Sequence, residues 1–282
     1  MTKSHKITNL LTISIFLPVA ILIGCSSTQP MATATRPPAS ETRPEWGKYF
    51  QAYNVTGAFV LYDSNRNHYL RFNPERCKQQ FIPASTFKIM NAMVGLETGV
   101  IPDADYVIKW DGTRYDIPAW NQDHTLRTAM QNSVVWYYQE LARRVGKEKM
   151  QHYIDAVQYG NQDISGQIDS FWLEGGLRIS PDEQIEFLKR LYKNDLPFSS
   201  RTMNTVKDLI MIEKTGRYTL RAKTGWALRA KTQIGWFVGY LEEGGNVYFF
   251  ANNYESDSPG QNFGNAREEI TRSVLRDMGL LK

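Results

Sequence analysis

Between Phe81 and Gly99 the chain reads FIPASTFKIMNAMVGLETG, a stretch that must be enclosed by protein on almost every side. Pro83 and Ser85 signal a helix start, and Gly99 after Thr98 signals its stop. Between them Phe87, Ile89, Met90, Ala92, Met93, Val94 and Leu96 cover most of the circumference, so the predicted helix 85–98 has little polar face to offer water. Such a helix needs a substantial core around it, and 282 residues suffice for one large domain or two small ones. Lys88 breaks the pattern. It stands three positions after Ser85, on the same helix face, and a lysine buried beside a serine needs a chemical reason.

The N-terminal residues do not belong to this core. MTKSHKITNLLTISIFLPVAILIGCSS has a basic start, then an apolar run from Leu10 to Ile23 interrupted by Pro18. Gly24 precedes Cys25, so residues 1–24 read as a secretory signal. The run is shorter than the ~20 residues of a membrane span. LIGC further resembles a bacterial lipobox, which implies a lipidated Cys25, membrane attachment by the lipid alone and a periplasmic location. Residues 25–45, rich in Pro, Thr, Ser and Ala, read as a flexible tether, and 46–282 as the functional domain.

Lys and Arg total 33 against 29 Asp and Glu, and Lys3 and Lys6 lie in the signal. The remaining 31 against 29 is too even for a nucleic-acid or membrane-surface protein. After lipidation Cys77 has no partner, so no internal disulfide is expected. His5, His68, His124 and His152 lack metal-ligand spacing, and no glycine-rich phosphate loop occurs, so neither metal nor nucleotide is expected.

Strand patterns flank DSNRN (54–62 and 68–72) and return at 217–223, 233–241 and 246–253, the last two joined by EEGG. Helices are expected at 133–145, 147–157, 180–194, 202–213 and 263–278, with Ser180, Pro181 and Glu183 forming a capping box. Strands at both chain ends and helices between them predict an α/β fold of the α+β type. One antiparallel sheet is built from both ends and flanked by helices, with a mostly helical lobe beside it and a site in the cleft.

Four short motifs carry chemistry. In STFK (Ser85–Lys88), a neutral amine can take the proton of a serine hydroxyl, and burial is what keeps an amine neutral. SVV (Ser133–Val135) alone is most simply a helix N-cap, and YGN (Tyr159–Asn161) a turn. KTG (Lys223–Gly225), followed by Trp226, is a strand end offering a cation, a hydroxyl and an exposed backbone.

Together, in this order and spacing, they resemble the motif set of the class D serine β-lactamases, the oxacillinase family with the serine β-lactamase/DD-peptidase-like fold. WNQDH, FWLEG and GWFVGY (from Trp120, Phe171 and Gly235) add to the likeness, which runs from about residue 55 to 281. The resemblance implies a β-lactam substrate, penicillins and oxacillin-like compounds among them, attacked by Ser85 to give an acyl-enzyme. Lys88 matches the lysine that takes up carbon dioxide as a carbamate and acts as general base, and Trp172 the indole that donates to it. Ser133 would protonate the leaving nitrogen, Lys223 would hold Ser133 and the substrate carboxylate in an electropositive environment, and Arg267 would grip that carboxylate. Thr224, Gly225, Trp226 and Trp120 would line the pocket, and Val135 and Leu173 would gate water. The backbone amides of Ser85 and Trp226 would form the oxyanion hole. WALRAKTQ (Trp226–Gln233), with Arg229 within reach of Glu174, resembles the carbapenem-hydrolysing branch, and carbapenem turnover stays open. So do a homodimer and two rival roles: a β-lactam sensor that acylates once, and a penicillin-binding DD-peptidase.

Overall fold

The computed structural model describes residues 37–228 and 231–282, together with Met1, Thr2 and Ser4. The lipidation site at Cys25 and the expected Arg229–Glu174 pairing lie outside the described residues. Seven strands make the main sheet: β1 (Ala39–Thr42), β2 (Thr56–Asp63), β3 (His68–Phe72), β6 (Met211–Lys214), β7 (Tyr218–Ala227), β8 (Gln233–Glu243) and β9 (Asn246–Ser256). A separate pair of two-residue strands, β4 (Val107–Ile108) and β5 (His124–Thr125), lies between the two groups in sequence. The main sheet runs β1-β3-β2-β9-β8-β7-β6 and is antiparallel apart from the β1–β3 pair. Chain ends thus meet at the central β2–β9 pair, as the sequence pattern implies. Ala39–Thr42, inside the segment expected to be a tether, instead pair in parallel with His68–Arg71.

The helices are α1 (Gly47–Gln51), α2 (Pro74–Lys78), α3 (Lys88–Glu97), α4 (Leu126–Gln131), α5 (Val135–Val145), α6 (Lys147–Val157), α7 (Pro181–Tyr192), α8 (Ser200–Leu209) and α9 (Phe263–Asp277). The capping box of α7 forms as expected, with Ser180 and Glu183 satisfying each other's backbone amides. One predicted helix is too long. It ends at Leu209, and Met211–Lys214 pair with β7, because strand pairing outweighs the helical propensity of a short segment. At EEGG, Glu243 faces Asn246 across Gly244 and Gly245. Their φ angles of +59° and +74° suit the mirror-image turn that matches strand twist.

Side chains alternate between two cores, one on each sheet face. Val60, Trp236, Val238, Tyr240 and Ala251 join the larger core, with α3, α5 and α7. Phe59, Leu61, Phe237, Leu241 and Phe250 join the smaller one, against α1 and α9. The same alternation sorts KTG. Lys223 pairs with Val238, so it points to the helical side, whereas Thr224 pairs with Phe237 and points towards α9. The KTG stretch is not a strand end, since β7 continues through Trp226 to Ala227.

Candidate active site

Ser85 lies on a 3₁₀ turn, Ala84–Phe87, that runs directly into α3 at Lys88. The sequence predicts one α-helix from 85. The tighter turn eclipses residues three apart, which aligns Ser85 with Lys88 more closely than an α-helix does. The turn is pinned from three sides. Trp236 Nε1 donates to Ile82 O (2.9 Å), the Ala84 amide to Trp172 O (3.0 Å), and Gln184 on α7 to Thr86 Oγ1 (3.0 Å). Ala84 holds φ = +48°, a left-handed conformation that costs a non-glycine residue roughly 1–2 kcal/mol. Gly225 lets β7 press against the turn. A Cβ there would lie 3.0 Å from both Pro83 O and Thr86 Cγ2.

Ser133 is not the N-cap of α5, where the sequence reading put it; it closes α4. Its amide bonds Met130 O (3.2 Å) and the Val134 amide bonds Ala129 O (2.9 Å), the paired bonds of a Schellman motif. Ser133 occupies the left-handed position, φ = +51°, where glycine is the usual choice. That position aims its hydroxyl at both lysines.

Lys88 is fully buried. Its Nζ lies 2.8 Å from Ser85 Oγ, 2.7 Å from Ser133 O and 3.0 Å from Ser133 Oγ. Burial, and secondarily the charge of Lys223, push its pKa well below the ordinary value, which favours the neutral amine. A neutral amine has two N–H groups and one lone pair. A carbonyl only accepts, so an N–H goes to Ser133 O, and the lone pair is available to the Ser85 hydroxyl. Lys223 Nζ lies 2.9 Å from Ser133 Oγ and 3.1 Å from Thr224 O. Burial, and secondarily Arg267, lower its pKa to about 7. Ser85, Lys88, Ser133 and Lys223 therefore form one continuous hydrogen-bonded chain.

A cavity of about 380 Å³ opens onto Ser85 and is walled by Trp120, Val135, Leu173 and Trp226. Trp120 is fixed by its Nε1 bond to Asn132 O (3.0 Å) and by Trp136 Nε1, which donates to Trp120 O (2.8 Å). Trp172 is fully buried and stacks on Phe87, next to Lys88. Its Nε1 has no acceptor, an expensive state for a buried donor. A buried amine of lowered pKa, and an orphaned indole N–H on a ring stacked against the preceding residue Phe87, fit a carbamate on Lys88. Arg267 does not reach this cavity. With Thr224 it lines a neighbouring one of about 370 Å³, its guanidinium 5.1 Å from the Trp226 ring centre.

Sequence reasoning missed Tyr115, Asp116, Ile117, Ala227 and Leu228, which complete the wall. Residues 109–123 have no apolar period to flag them, and Asn121 alone hints at order, bracing Tyr115 N and O at 2.8 and 2.9 Å. Gly160 of YGN has a packing role. A Cβ there would lie 1.9 Å from Arg178 O, and Asn161 Oδ1 accepts from the Arg178 amide (2.8 Å).

Residues 52–276 match the family model of the penicillin binding protein transpeptidase domain, which defines the broad class. Within it, the chain is 46% identical over 231 residues to β-lactamase OXA-48 of Klebsiella pneumoniae, covering 82% of this chain and 86% of that one. The crystal structure of the class D β-lactamase YbXI from Nostoc superposes with a TM-score of 0.82 at 47% identity, covering 85% of this chain and all of that one. The chain belongs to the class D β-lactamases. It is also 36% identical over 266 residues to the regulatory protein BlaR1 of Bacillus licheniformis, of which it spans only 44%.

Proposed function

We propose that this protein hydrolyses β-lactam antibiotics through an acyl-enzyme on Ser85. The neutral Lys88 amine, 2.8 Å from Ser85 Oγ and fully buried, carries this reading. Ser85 Oγ attacks the lactam carbonyl carbon while its proton passes to the Lys88 lone pair. The negative charge on the carbonyl oxygen is met by the backbone amides of Ser85 and Trp226, the first in the opening turn of a helix where amides lack internal acceptors. Ser133 then gives its proton to the lactam nitrogen as the C–N bond breaks, and recovers one from Lys88. This restores the free amine. Lys223 holds Ser133 in place and, when protonated, makes the carboxylate end of the site positive.

Water must next cleave the ester, and the regenerated Lys88 site is the base beside it. When carbon dioxide is bound there as a carbamate, it supplies a carboxylate base in place of the amine. The unpaired Trp172 Nε1 supports that state. Val135 and Leu173 form the apolar wall through which water reaches the ester. The LIGC motif supports export and lipid attachment at Cys25.

Intact-protein mass spectrometry checks the nucleophile. Mixing with a penicillin is expected to add one intact β-lactam mass to the protein, transiently, and Ser85→Ala abolishes the adduct. A persistent adduct in Ser85→Ala would place the nucleophile elsewhere.

A further inference from the structure

Asp116 is the one charged side chain among the described residues of the cavity wall. It is exposed at the mouth, and no hydrogen bond or ion pair engages its carboxylate among the described residues. Other acids of this region are engaged: Asp111 accepts from the Thr113 amide, Asp123 from Lys109 and the Trp110 amide, and Glu140 from Arg143 and Arg144. The segment that carries Asp116 is nevertheless tied on both sides. The Asn121 side chain clamps Tyr115 on one side, and the Trp120 amide donates to Ile117 O (2.9 Å) on the other. The Tyr115 ring packs edge-on against Trp120 at 5.7 Å. A fixed backbone on both sides spares the carboxylate much of the ordering cost that weakens surface charge contacts.

The site is therefore electrically polarised. Lys223 is joined through Ser133 and Lys88 to Ser85 on the cavity wall, and an unengaged carboxylate stands on the same wall beside apolar Ile117, Val135, Leu173 and Leu228. A substrate that places its own carboxylate towards Lys223 presents its acyl side chain to the remaining wall. We propose that Asp116 is a specificity-determining residue that favours β-lactams whose acyl side chain bears a cationic amine and disfavours those whose side chain bears a second carboxylate. The proposal rests on the β-lactamase reading and names its substrate class.

The test compares kcat/KM for two penicillins that differ at the acyl side chain, one with an α-amino group and one with an α-carboxylate. Their ratio is the readout, so a general loss of activity or of folded protein divides out. In Asp116→Asn the amine-to-carboxylate ratio is expected to fall about fivefold, the Coulomb effect of one charge near a protein surface. The wild-type ratio should itself shrink as salt rises from about 0.05 to 0.5 M, because exposed charges are screened. An unchanged ratio in Asp116→Asn overturns the proposal. If instead the wild-type protein turns over neither penicillin, nor a neutral phenylacetyl penicillin, the β-lactamase reading fails and takes the proposal with it.

Discussion

Lys88→Met lowers kcat/KM on a penicillin by about a thousandfold, the middle of the range for removing a general base. In carbon-dioxide-free buffer at pH 7, the same variant melts no lower than the wild type. The folded pKa of Lys88 is lowered, so between that pKa and 10.5 the unfolded chain holds more protons. In that window wild-type stability rises with pH, and at pH 7 burial of the amine is a net cost. Methionine has nearly the same volume and no charge to desolvate. Its advantage should shrink as pH rises towards 10.5, which calorimetry across pH 7–10 would follow. A variant that keeps full activity would remove Lys88 from the chemistry. A wild-type stability that falls with rising pH in that window would mean the folded amine is charged.

Ser133→Gly separates folding from function in the opposite way. Ser133 holds a left-handed conformation that glycine adopts freely, so Ser133→Gly should melt about 2–4 °C above Ser133→Ala, which loses the same hydroxyl but keeps the strain. Both lysines retain acceptors in either variant: Ser133 O for Lys88, and Thr224 O for Lys223. Activity should nevertheless drop about 10²–10⁴-fold in both, because no group remains to protonate the lactam nitrogen. The serine would then be kept at a measurable cost to stability because the turn aims its hydroxyl. Glycine and alanine variants that melt together would show no strain at 133, and an active Ser133→Ala would reassign the proton donor.

Much of this site was legible because its residues break local rules. A lysine on a mostly apolar helix is unexpected for a core, and it marked the proposed proton acceptor. The sheet was legible too, since β2, β3, β8 and β9 each carry a clear apolar run beside turn residues. Three features were hidden for physical reasons. Ser133 reads as a helix opener because serine caps helices well, and nothing in a six-residue α4 announces a C-terminal turn. Gly225 reads as a strand stop, but its role is close approach to the Ser85 turn, a long-range contact that local sequence does not encode. The cavity rim at residues 115–117 belongs to a loop ordered by the Asn121 side chain and not by periodicity. Arg267 shows a further limit: its place in the chain suggested carboxylate contact, whereas the structure stacks it beside Trp226 in a neighbouring cavity.

In the proposed cycle Ser85 is acylated and then released by a base built on Lys88. Time courses of a chromogenic cephalosporin with the soluble domain, run with and without added bicarbonate, test it most directly. Sustained turnover that slows in bicarbonate-free buffer and recovers on its addition is the predicted result. A single stoichiometric burst, unmoved by bicarbonate, would contradict the account and favour a sensor or penicillin-binding role, in which Ser85 is acylated and stays so.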